Sequence, residues 1–160
     1  MDRVDRIIAQ WAAVRPDLDT EPMALIGRMA RIYTHLRSGM DETFARHGLN
    51  AAKFDVLATL RRSGAPYQLS PGVLLEATMV SSGTMTNRID QLVKDGLVDR
   101  VPNPEDARSV LIALTSAGFE VIEAAVTAHV ATQQRLLAGI SAQDRAQLNQ
   151  HFQRILADFE

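Results

Sequence analysis

The chain contains no cysteine. That absence excludes disulfides, thiolate zinc sites, iron–sulfur clusters and cysteine-based redox switching together. No apolar run approaches the ~20 residues that a membrane-crossing helix needs. The charged start, Met1 to Arg6, lacks the basic-then-apolar order of a secretory signal, so the cytoplasm is the expected location. Positive charge is not in excess either. Lys and Arg number 17 against 19 Asp and Glu, for a net charge of −2. Any contact with nucleic acid must therefore come from local placement of charge. GxSxG, P-loop, GxGxxG and HExxH motifs are all missing. His35, His47, His129 and His151 are scattered without a close carboxylate cluster, which favours solvated or hydrogen-bonded histidines over metal ligands. Neither a catalytic constellation nor a cofactor is implied, so no enzyme is expected.

What remains is 160 residues with 46% apolar content, enough for one domain with a real core. Helical periodicity dominates. Val4, Ile7, Ile8 and Trp11 share a face of a first helix that Pro16 ends. Thr20 is the expected cap of a second, with Pro22 in its first turn and Leu25, Met29, Ile32, Leu36, Met40 and Phe44 at helical spacing up to Gly48. Asn50 caps a third, carrying Phe54, Leu57 and Leu60 and stopped by Gly64. Ser70-Pro71 opens a short helix with Leu74 and Leu75, to about Ala77. A turn at 78–80 leads to a helix starting at Ser81, with Met85, Ile89 and Leu92 inward and Gly96 at its end. The period then changes. LVDRV (97–101) and SVLIALT (109–115) read as two strands joined by a long polar tip containing PNPEDAR. Thr115 caps a long helix bearing Phe119, Ile122, Val126, Val130 and Leu137. Ser141 with Asp144 resembles a capping box for a last helix carrying Leu148, Phe152, Ile155, Leu156 and Phe159.

Two helices joined by a tight turn and followed by a hairpin make a winged helix-turn-helix. The expected fold is mainly α with a small β-wing. In such an arrangement the second helix enters the major groove and reads base edges with its N-terminal residues. Those residues must be short and able to exchange hydrogen bonds. Ser81, Ser82, Thr84, Thr86, Asn87 and Arg88 meet that requirement, and Gly83 adds no bulk. By themselves they more readily describe a helix cap and a solvated face, and the hairpin that follows shifts the balance toward DNA. At the hairpin tip, Asp106 and Arg108 lie two apart, so the carboxylate can orient a guanidinium toward an A·T-rich minor groove. Alone, such a pair is an ordinary surface salt bridge worth under about 1 kcal/mol. Between Ser81 and Arg108 the cations Arg88, Lys94, Arg100 and Arg108 are offset by Asp90, Asp95, Asp99, Glu105 and Asp106. Only a moderate salt dependence of DNA binding is expected in consequence.

From Leu69 to Gly118 the chain resembles the MarR (multiple antibiotic resistance regulator) family of bacterial transcription factors. The likeness is carried by LSPGVLLEATMVSSGTMTNRIDQLVKDGLVDR and NPEDARSVLIALT. It implies a homodimer with intertwined terminal helices, acting as a repressor on a pseudo-palindromic operator. It also implies a division into a helical dimerisation region, residues 1–48 and 116–160, and a winged DNA-binding region, residues 49–115, within one structural domain. The family's wing arginine corresponds to Arg108 and its partner to Asp106; its recognition-helix contacts correspond to Ser81, Ser82, Thr84, Thr86, Asn87 and Arg88. Asn103 replaces a common aspartate in the wing. Asn87 replaces a frequent basic residue, which removes one backbone contact and opens an Asn–adenine pairing. Independently of the likeness, the apolar stripes at both ends exceed what a small winged domain can cover. A second copy of the chain, or packing of the two ends on each other, would bury them.

The same resemblance implies release from DNA by a small aromatic or amphipathic anion, held between the dimerisation helices and the winged region. Met29, Tyr33, His35, Arg37, Met40, Phe54 and Leu57 are the candidate lining, although Met29 and Met40 also suit a plain core. The competing reading is a winged-helix protein–protein interaction module without a DNA role, favoured only by the near-neutral charge of the helix and wing.

Overall fold

The structure is a computed structural model and describes residues 1–78 and 82–159. Seven helices and three strands follow the order α1 (Arg3–Val14), α2 (Glu21–Arg46), α3 (Ala51–Arg62), β1 (Gln68–Leu69), α4 (Pro71–Thr78), α5 (Ser82–Lys94), β2 (Val98–Asn103), β3 (Asp106–Leu114), α6 (Ser116–Leu136) and α7 (Ala142–Leu156) among the described residues. The expected turn at 78–80 and the expected start of α5 at Ser81 fall mostly outside them.

Capping chemistry explains most of the boundaries. Asn50 Oδ1 accepts from the Lys53 amide, Thr115 Oγ1 from Gly118 and Ser141 Oγ from Asp144, each satisfying an orphan N–H of a first turn. The first helix carries a full capping box between Asp2 and Asp5. Thr20 is a correction: its side chain makes no cap bond, and Asp19 Oδ1 instead accepts from the Glu21 amide. Either residue type caps a helix, and only the backbone angle at the entry decides which one reaches.

The sheet corrects the sequence reading in two further ways. It has three strands, ordered β1-β3-β2, all antiparallel. Two residues are too short to show a period, and β1 exists because β3 offers it an open edge, with Gln68 opposite Ala113 and Leu69 opposite Ile112. The wing is also longer and its tip shorter than expected. β2 and β3 pair as far as Asn103 opposite Asp106, after a register shift at Pro102/Asn103.

One core serves these elements. Phe44 of α2, Val56, Leu57 and Leu60 of α3, Leu74 of α4, Met85, Ile89 and Leu92 of α5, Val98 and Ile112 of the sheet, and Ile122 and Ala125 of α6 are buried together. Truncating a fully buried leucine such as Leu57 or Leu92 in this setting costs about 2–5 kcal/mol. A buried polar link joins α2 to α6. Thr43 donates its hydroxyl proton to the Gly39 carbonyl, so Thr132 must be the donor in the 2.8 Å Thr43–Thr132 contact. α1 docks on α2 through Val4, which packs over Gly27, and through Arg28, which reaches Asp2 at 2.8 Å and also binds Asp5. By contrast α7 buries none of its residues, and Ile7, Trp11, Leu25, Ile32, Phe152 and Ile155 all remain exposed in the single chain.

The base of the wing meets α6 at Gly118, where an added Cβ would lie 1.9 Å from the Leu97 carbonyl oxygen. The obstacle is backbone, held by the Thr115 amide donating to that same carbonyl at 3.2 Å. Gly118→Ala should therefore lower the unfolding free energy by roughly 1–3 kcal/mol, as overpacking does; urea denaturation of both proteins measures it. An unchanged midpoint would mean that the wing base yields freely.

Candidate nucleic-acid interface

The recognition helix α5 is oriented by its apolar positions. Met85 is 2% exposed, Ile89 2% and Leu92 0%, and their 3–4-residue spacing seats one face on the core. The opposite face then presents Gly83, Thr84, Thr86 and Asn87 to solvent. Of the helix residues singled out from the sequence, Thr84, Thr86 and Asn87 lie on this face, Ser82 opens the helix and Ser81 lies outside the described residues.

Arg88 is placed differently from its neighbours. Its side chain is only 20% exposed and turns toward α3, with Nη1 3.7 Å from Asp55 Oδ2. Each residue of a helix is rotated by about 100° from the one before, so a residue next to the exposed Asn87 can still face inward. The Asp55 carboxyl is held above the usual carboxylate range by burial, against the opposing pull of Arg88 and Arg62. Nothing in the sequence signals this pairing across 33 positions.

Two ion pairs brace the helix from outside. Asp90 accepts from Arg100 of β2 at 2.6 Å, tying α5 to the wing, and Asp95 accepts from Lys53 of α3 at 2.5 Å. Each is partly exposed and contributes modestly to stability. Their use is geometric, because they hold α5 against both neighbours. Asp90 and Asp95 thus engage cations of the body and do not face the groove-reading side alone.

The wing tip is built by side-chain-to-backbone bonds. Asn103 Oδ1 accepts from the Glu105 amide at 3.0 Å while its Nδ2 donates to Ser109 Oγ at 3.0 Å. Asp106 Oδ1 accepts from the Arg108 amide at 3.0 Å. The carboxylate is therefore engaged mainly with backbone, and its contact with Arg108 Nε is a looser 3.6 Å. Asp106 shapes the turn more than it grips the guanidinium. Arg108 itself is 94% exposed and projects from the wing.

A crevice of about 370 Å³ opens between α2 and the winged region. Tyr33, Arg37, Met40, Asp41 and Phe44 line it from α2, Ala51, Ala52, Phe54 and Asp55 from α3, with Thr78 and Arg88 closing it. Of the residues expected there, Tyr33, Arg37, Met40 and Phe54 are present. Leu57 is fully buried core, while Met29 and His35 are not part of the lining. His35 is exposed and lies between the lining residues Tyr33 and Arg37 along α2; on a helix, the residue two positions from either points elsewhere. Asp41, Asp55 and Arg88 were missed. Only Asp41 had a sequence signal, being four residues after Arg37 and 3.6 Å from it. Among the described residues no group of three or more His, Asp or Glu could hold a metal ion, and no helix is long and apolar enough to cross a membrane.

A helix pair with an exposed polar reading face, braced to a hairpin that ends in a projecting arginine, defines a winged helix-turn-helix protein. The model of the MarR family matches residues 47–109. The chain is 41% identical over 145 residues to the HTH-type transcriptional regulator PecS of Dickeya dadantii (strain 3937), covering 91% of this chain and 87% of that one. Among solved structures it resembles a mutant MarR from E. coli complexed with operator DNA, with TM-score 0.72 and 26% identity over 91% of this chain and 97% of that one. It also resembles Bordetella bronchiseptica BpsR, described for the regulation of its DNA binding by 6-hydroxynicotinic acid, with TM-score 0.71 and 25% identity over 86% and 95% of the two chains. The chain belongs to the MarR family of transcriptional regulators.

Removing the Asn103 side chain takes away both tip bonds without touching the core. Asn103→Ala should leave the global melting temperature almost unchanged while the Glu105 amide, which loses its acceptor, exchanges hydrogen faster, since local opening is set by local bonds. Equal protection in both proteins would show that the strands alone hold the tip.

Proposed function

We propose that the protein is a homodimeric, cytoplasmic repressor that grips a pseudo-palindromic operator with two copies of the α5-and-wing unit. The observation that carries this reading is the exposed face of α5 with Gly83, Thr84, Thr86 and Asn87, together with the projecting Arg108 on a wing that shares the core of α5. Thr84, Thr86 and Asn87 contact base edges in the major groove, together with Ser82, which opens the helix, and Ser81. Arg108 enters the flanking minor groove, and Asp106 sets the turn that aims it. Arg88 has a different task from the one its position suggests: it joins the reading helix to the crevice through Asp55.

Residues 49–115 form the DNA-binding region, and residues 1–48 and 116–160 the dimerisation region. The uncovered apolar faces of α1 and α7 support a second copy as their cover. Two such units about 34 Å apart meet successive major grooves on one side of the duplex. A protein–protein interaction module gives no reason for the projecting Arg108, and the likeness to an operator-bound MarR speaks against it.

The crevice supplies the regulation. Its rings, Tyr33, Phe44 and Phe54, and its guanidiniums, Arg37 and Arg88, suit a small aromatic anion. Such a ligand competes with Asp41 and Asp55 for those guanidiniums and so acts on the attachment of α5. By linkage, an anion that lowers operator affinity must itself bind more weakly to the DNA-bound dimer, by the same factor.

The test is a mobility-shift titration with the DNA flanking the protein's own gene. Arg108→Ala and Thr86→Ala should each weaken specific binding on the order of tenfold, within the range of single contacts. Arg108→Ala should also relax the preference for A·T at the outer positions. Wild-type affinity in both variants would remove these residues from the interface. A second titration, across salt concentrations, should give a slope of magnitude well below about 10, the value for a repressor that neutralises roughly ten phosphates.

A further inference from the structure

The α2–α3–α6 junction, where the helical region meets the winged region, contains an ionisable ring in an apolar stack. His129 of α6 lies with its ring centroid 5.0 Å from Phe44 of α2 and 4.9 Å from Phe54 of α3, and the two phenylalanines stack at 4.3 Å. Its Nδ1 is buried and has no hydrogen-bond partner. A neutral imidazole can place an unprotonated nitrogen there at limited cost, but the imidazolium carries an N–H on each nitrogen and needs an acceptor for both.

We propose that His129 is a proton-operated wedge: neutral, it lets α2, α3 and α6 close on one aromatic stack, and protonated, it forces that junction open. Its consequence for DNA rests on the operator-binding role proposed above, because Phe44 and Phe54 also wall the crevice that sets the attachment of α5.

Among the described residues no counter-charge acts on the ring, and burial alone shifts it. The ionisable groups flanking Phe44 on α2 are Asp41, engaged with Arg37, the exposed Glu42, Arg46, which donates to Thr43 at 2.9 Å, and His47 at the C-cap. On α3 the neighbours of Phe54 are Lys53, paired with Asp95, and Asp55, which faces Arg88. Along α6, the residues one turn from His129 are Ala125, Val126, Thr132 and Gln133, none of them ionisable. Burial accordingly holds the imidazole below its usual range, with no carboxylate pulling it back up.

The direction of the pH effect follows. Above about pH 6.5, the ordinary histidine value, open and closed forms are both neutral and the junction keeps its full stability. As pH falls below that value, the open form takes up the proton before the closed form does, so closure weakens progressively until the closed form is protonated as well. Each unit by which the closed-form value lies below the open-form value is worth up to about tenfold in the closing equilibrium.

Three measurements on the full chain test this. In a proton NMR titration, the His129 Cε1–H signal should move with a midpoint below about 6.5; a midpoint at or above that value overturns the proposal. Between pH 7.5 and 5.5, thermal unfolding of the wild type should lose more stability than that of His129→Phe, which keeps the stack but cannot ionise. Equal losses in the two proteins overturn it, and His129→Leu serves the same comparison should the larger ring misfold the chain. Binding to the gene-flanking DNA should weaken several-fold over the same pH interval in the wild type and less in the variant. Failure of every protein to bind that DNA at pH 7.5 would count against the operator role alone, with the NMR and unfolding results still deciding the wedge.

Discussion

The burial of one face of α5 is the constraint on which the rest of this structure depends. Met85, Ile89 and Leu92 sit in the same core as Leu57 and Leu60 of α3, Leu74 of α4 and Val98 and Ile112 of the wing. Each such side chain contributes about 1.5–3 kcal/mol by leaving water. Because they occupy one face, helical geometry leaves Gly83, Thr84, Thr86 and Asn87 on the other. The exposed polar surface is thus positioned by the residues of the opposite, buried face. The wing shares the core, and the Asp90–Arg100 pair further braces the hairpin against the helix.

Polar interactions set angles where the core supplies cohesion. Lys53 and Asp95 join α3 to α5, the Thr43–Thr132 pair joins α2 to α6, and Thr115 both caps α6 and donates to the Gly96 carbonyl at 2.8 Å. Gly96 itself has φ +71°, a conformation that lets the chain leave α5 and enter β2 at once. Exposed pairs of this kind add little to stability individually. Their effect is to make the relation between the crevice wall and α5 a matter of a few bonds. Arg88 is one of these bonds, and it reaches Asp55 at the edge of the same crevice whose other wall is α2. A signal received there has a short physical route to the reading helix.

The uncovered faces are equally informative. A helix of 15 residues with no buried side chain, α7, has little reason to be helical in an isolated chain beyond its Ser141 cap. Its apolar residues and those of α1 are spaced for a partner surface. The family to which the chain belongs, and the dimerisation region proposed here, give those stripes a purpose that the single chain does not.

Much of this was legible in the residues themselves, because it depended on local rules. Caps at Asn50, Thr115 and Ser141, stops at Gly48, Gly64 and Gly96, and the apolar spacing of α5 are consequences of backbone hydrogen bonding and the 3.6-residue turn. They determined the helix order, the winged helix-turn-helix and the exposed reading face. What only the tertiary structure decided involves partners distant in the chain. β1 formed because β3 had a free edge, Arg88 turned inward because Asp55 lay within reach, Leu57 left the crevice for the core, and His129 met Phe44 and Phe54 across three helices. Periodicity tells which face of a helix is buried, but not which residue of another element waits opposite it.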